Sequence, residues 1–109
     1  MSKFDDFFGA VKTGLGPLVS DFAAQAKAQV LTGMKDYLQA RAGDLKSWTE
    51  DLAAGRMTKL EFEDLVTGLK SEIEMRALAV AGVQTARLQR LRDAFVNLIL
   101  DKAFAVFLP

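Results

Sequence analysis

From Phe22 onward, apolar side chains recur at Ala26, Val30, Met34, Tyr37, Leu38, Leu45, Trp48 and Leu52. These steps of three and four stay in phase across Gly43, the mark of one helical face. The pattern predicts a helix over residues 17–54, with any bend at Ala42-Gly43-Asp44. Gly14-Leu15-Gly16-Pro17 reads as the break before it, because proline is tolerated in the first turn of a helix. Ala53-Ala54-Gly55 supplies the glycine that commonly takes the left-handed position past a last turn.

The start of the next helix is written more sharply. Thr58 and Glu61 have the spacing of a capping box, and Met57 and Phe62 that of the accompanying hydrophobic staple. The connection is therefore 55–57, short enough to make the two helices antiparallel neighbours. Beyond it runs a period of eleven: Phe62, Ile73, Gln84, Phe95 and Val106 form one row and Val66, Ala77, Leu88 and Ile99 another. Such a repeat keeps an apolar stripe nearly straight along a long helix, predicted here over 59–106. Gly82 interrupts it at a cost of about 1 kcal/mol relative to alanine, with the stripe still in phase.

The expected fold is all-α: a long antiparallel hairpin of coiled-coil character on 17–109, preceded by an amphipathic segment and linker on 1–16. The alternative is a compact four-helix bundle broken at Gly43 and Gly82. In the hairpin, a 17–54 arm would be about 55 Å long at ~1.5 Å per residue. Both termini would meet at one end, opposite a charged turn. Phe4, Phe7, Phe8 and Val11 would join Phe95, Ile99, Phe104 and Phe107 there as an aromatic interaction pole.

Two helices bury only one face each, so the hairpin is expected to complete itself as a homo-oligomer. Charge segregation supports this: residues 59–74 carry five acids and two lysines, whereas 76–92 carry four arginines and no acid. An antiparallel copy would bring Arg76 and Arg87 against the acidic stretch. Gln84, polar within an apolar row, is either tolerated there or sets register across the interface.

Composition removes most chemistry. With no cysteine and no histidine in 109 residues, thiol and imidazole nucleophiles, thiolate metal sites and histidine metal sites are all excluded. Carboxylates alone remain for a hard cation, at Glu61, Glu63 and Asp64 or at Glu72 and Glu74, but acids in the first turns of a helix serve its dipole. No enzyme activity, metal or cofactor is expected. Fourteen basic and fourteen acidic residues leave no net field, and no nucleic-acid partner is expected. Arg87-x-x-Arg90-x-Arg92 could grip phosphate, yet its helix offers no adjacent aromatic platform, so it reads as a solvated face or an intersubunit ion-pair row. The glycines at 9, 14 and 16 match no phosphate-binding loop.

Asp5 and Asp6 stand where a signal peptide would be basic and then apolar, which points to a cytoplasmic protein. Residues 95–108, the best apolar run, are too short to span a bilayer and contain Asp101 and Lys102. The function expected is structural: a self-assembling helical protein that offers its aromatic end to partners or further copies. The alternative is a peripheral lipid-surface protein that inserts its phenylalanine-rich terminal segments.

Overall fold

A computed structural model describes residues 2–73 and 85–108. The described residues form five helices: α1 (Lys3–Leu18), α2 (Ala24–Ala40), α3 (Ala42–Ala53), α4 (Lys59–Thr67) and α5 (Thr85–Phe107), with residues 70–73 also helical. There is no strand among them.

Local chemistry accounts for most of the boundaries. Ser2 caps α1, its hydroxyl accepting from the Asp5 N–H at 3.1 Å, and Asp5 and Asp6 face the positive end of the helix dipole. Pro17 sits in the last turn of α1, and beyond it Val19 and Ser20 reach back only to Gly16 and Pro17, tightening the chain out of the helix. Residues 19–23 then turn into α2. At Arg41 the backbone (φ −97°, ψ 6°) leaves helical geometry for one residue, and α3 resumes at once.

The 55–57 turn lies where the sequence puts it. Gly55 has φ +78°, its N–H bonds to the Leu52 carbonyl, and the Arg56 N–H bonds to that of Asp51, the paired bonds of a Schellman ending. Thr58 and Glu61 form both halves of the capping box, at 3.1 and 3.0 Å.

Pairs distant in sequence define how the helices run. Along α1 and α5, the rings of Phe7 and Phe107 are 5.8 Å apart, Gly14 lies against Leu98, and Arg87 donates to the Asp21 carbonyl. These helices are antiparallel. Between α4 and α5, Phe62 meets Phe104 edge to face and Lys70 pairs with Asp93 at 3.2 Å, again antiparallel. The chain thus traverses the molecule up α1, back along α2 and α3, up α4 and 70–73, and back along α5.

The long hairpin is corrected accordingly. The expected 17–54 helix is divided at 19–23 and bent at Arg41, and α1 runs straight through the expected linker and the division at residue 16. Gly14-Leu15-Gly16-Pro17 closes a helix instead of opening one, because Leu15 is buried and Gly14 provides room for α5. A single straight helix over 59–106 is incompatible with α4 and α5 lying side by side. Its continuity through Gly82 concerns residues outside the described ones. Dimensions agree: the molecule measures 43 × 26 × 21 Å with a radius of gyration of 13.9 Å, against about 13 Å for a compact domain of this length.

Extra reversals explain why the apolar stripes are not left wet. The α1 row (Phe7, Val11, Leu15) and the α5 row (Leu88, Leu91, Phe95, Ile99) cover the face that two helices alone would expose, and Phe7, Phe62 and Phe95 are fully buried together with Leu45 and Ile73.

Candidate interaction surface

Since the chain reverses more than once, the 55–57 turn and both termini lie at one end of the molecule, not at opposite ends as the hairpin required. The expected aromatic pole is largely internal. Phe7, Phe8, Val11, Phe95 and Ile99 are core residues, and Phe95 meets Tyr37 in the middle of the bundle. Phe104 is half-buried between Phe62 and the Lys59 ammonium, which stands 4.6 Å from its ring centroid. Phe4 and Phe107 are likewise half-buried, at the surface edge. Arg87 is at the other end, against Asp21 and Phe22. Arg76 and Gln84 lie outside the described residues.

Phe4 and Phe107 line a groove of ≈ 460 Å³ at this terminal end. Its second wall is α3, which turns Leu45, Thr49 and Leu52 toward the core and leaves Lys46, Glu50 and Ala53 on an adjoining face. Ala53 and Ala54 are small, which keeps the groove open. The Thr49 hydroxyl donates to the Leu45 carbonyl at 2.8 Å, so its polarity is already satisfied. Lys3 and Lys46 line it together with a single acid, Glu50.

Beside the groove, the first turns of α4 break the hydrophobic pattern. Leu60 is 67% exposed and Leu65 38%; Leu65 lines a shallow depression of ≈ 340 Å³ with Met57, Glu61 and Asp64. Leu60 and Leu65 fall off the Phe62–Val66–Leu69–Ile73 row, a legible signal that the sequence reading did not use. The Glu61 carboxyl is held below the usual carboxylate range, first by the Thr58 N–H and then by the Thr58 side chain, and remains charged. Leu108, 42% exposed, adds to the same end.

A second polar constellation lies at mid-height. The Tyr37 hydroxyl donates to Glu72 Oε2 at 2.7 Å, and Arg41 donates Nε to the same oxygen at 3.0 Å and Nη2 to Oε1, making a two-pronged pair. Arg41 Nη1 also reaches Asp44 at 2.6 Å. Burial, and then the Glu72 carboxylate, push the Tyr37 phenol well above its ordinary value. The Arg41 guanidinium is raised by Glu72 first and Asp44 second. The cluster clasps the Arg41 bend to the 70–73 turn. Tyr37 and Arg41 share a helical face at i, i+4, but nothing local announced Glu72 as their partner.

Among the described residues, no group of three or more acids could hold a metal ion, and no helix is long and apolar enough to cross a membrane. Compared with protein-family models, with curated proteins and with solved structures, the chain finds no match, so its functional reading rests on its own residues.

Proposed function

We propose that the protein is a non-enzymatic, self-assembling helical module that joins copies through its terminal end. The observation that carries this is the pairing of complementary features at one end: an apolar groove lined in part by Lys3 and Lys46, and beside it exposed Leu60 and Leu65 flanked by Glu61 and Asp64. A second copy related by a two-fold axis can lay its α4 face in the groove while offering its own groove in return. Leucine burial supplies the attraction, and the lysine–carboxylate match sets orientation more than strength. The aromatic end expected from the sequence survives here in reduced form, as Phe4 and Phe107.

Bilayer insertion of the terminal phenylalanines is less well supported. Phe7 and Phe8 are committed to the core, and the outer face of α1 carries Asp5 and Asp6.

Sedimentation equilibrium across the micromolar range tests the proposal. The expected result is a dimer that becomes a monomer in Leu60→Ser/Leu65→Ser and in Lys46→Glu, with helical circular dichroism unchanged. A monomeric wild type would overturn it, and flotation of that monomer with phospholipid vesicles would favour the lipid-surface alternative.

A further inference from the structure

At the end opposite the groove, a cleft of ≈ 170 Å³ opens between the last turn of α1, the 19–23 turn and the first turns of α5. Leu18, Phe22 and Leu91 give it an apolar floor, and Arg87 and Arg90 stand on one wall, one helical turn apart.

These two arginines differ from the other described ones. Arg41 pairs with Glu72 and Asp44, Arg56 with Asp51, and Arg92 with Asp93. Among the described residues, Arg87 and Arg90 pair with no carboxylate. Arg87 is nevertheless held in place: its Nη1 donates to the Asp21 backbone carbonyl at 3.2 Å, and its guanidinium carbon lies 5.6 Å from the Phe22 ring centroid. The aromatic platform missing from the local sequence is thus supplied by a turn more than sixty residues away. A guanidinium fixed by its backbone bond and its stacking keeps its remaining N–H groups available in a set direction, which lowers the ordering cost of binding an anion. Arg90 is exposed and makes no hydrogen bond or ion pair among the described residues, so it can close on the same anion.

We infer that this cleft binds a phosphate group, held by Arg87 and Arg90 above the apolar floor. Forked guanidinium donors suit its oxygens, and a cleft of ≈ 170 Å³ has room for the anionic head. Asp21 also lines the cleft, and its negative charge opposes the ligand and keeps affinity modest. The inference is independent of self-assembly, which uses the other end.

The test is isothermal titration of the full chain with inorganic phosphate and with phenyl phosphate, at constant ionic strength maintained with chloride. Saturable binding with a dissociation constant on the order of 0.1–1 mM is expected, weakened about tenfold by Arg87→Gln or Arg90→Gln and tightened several-fold by Asp21→Asn. Arg56→Gln removes the same charge from the opposite end and should leave binding unchanged. Tighter binding of phenyl phosphate supports a phosphomonoester as the ligand, and tighter binding of inorganic phosphate supports the free ion. Absence of saturation by about 10 mM, equal loss in Arg56→Gln, or equally tight binding of benzoate would each overturn the assignment. Arg90 is exposed, so its variant keeps the test valid if Arg87→Gln proves unstable.

Discussion

Gly14 and Leu98 meet where α1 crosses α5, so closely that a Cβ on Gly14 would stand 2.7 Å from Leu98 Cδ1 and 3.4 Å from its Cγ. Alanine at position 14 would gain about 1 kcal/mol of helix propensity but would force Leu98 to repack, at about 1–3 kcal/mol. Gly14→Ala is expected to be neutral to destabilising by up to ~2 kcal/mol. Gly9 lies in the same helix with nothing within 4 Å of an added Cβ, and Gly9→Ala should stabilise by about 0.5–1 kcal/mol. Urea midpoints of the two variants check the contrast; a stabilised Gly14→Ala would contradict the close crossing.

The turn at the terminal end depends on two separate devices. Removing the cap with Thr58→Ala should cost about 1 kcal/mol. Gly55→Ala places a side chain at φ +78° and should cost a further 1–2 kcal/mol. Because the cap and the left-handed residue belong to different helix ends, the double variant should be close to additive, and a chemical-denaturation cycle measures this.

Core and surface apolar residues should separate cleanly. Phe62→Ala empties a fully buried site against Phe104 and is expected to cost about 3–5 kcal/mol, enough to unfold a marginal domain. Leu60→Ser, two residues earlier, should change monomer stability by less than about 0.5 kcal/mol. Thermal unfolding at low concentration distinguishes the two; a large loss in Leu60→Ser would place that residue in a monomer contact.

Alkaline titration reads the clasp directly, because Tyr37 is the only tyrosine. Its phenol is raised above its ordinary value of 10.0 by burial and by Glu72, so the folded state retains the proton more tightly than the unfolded chain does. The resulting stabilisation is fully present below pH 10 and is lost as pH climbs through the raised folded value. Absorbance at the tyrosinate band should stay flat past pH 10 in the native protein and rise at the ordinary position in urea. Tyr37→Phe should lose the alkaline fall in stability, whereas tyrosinate forming normally in the native state would dissolve the clasp.

Helical class, the 55–57 turn and its capping box were legible because each is carried by residues a few positions apart. The reversals were not. Periodicity reports that Val11, Leu88 and Ile99 face something apolar, and is silent on whether the cover is a second copy or another part of the same chain. Phase also survives a one-residue departure such as Arg41, so it cannot count helices. Gly14-Leu15-Gly16-Pro17 misled because glycine serves two ends: it permits a break, and it permits the approach to Leu98 that is found here. At the surface, the out-of-phase Leu60 and Leu65 were readable, but the meeting of Arg87 with Phe22 was not, since it exists only after α1 and α5 have packed.

The side-by-side packing of α1 and α5 bears on how the protein is made. Phe7 and Gly14 leave the ribosome some eighty to a hundred residues before Leu98 and Phe107, their neighbours on α5. Throughout that interval the nascent chain displays a greasy amphipathic helix without its α5 cover, a natural target for holding chaperones and the stage at which aggregation threatens most.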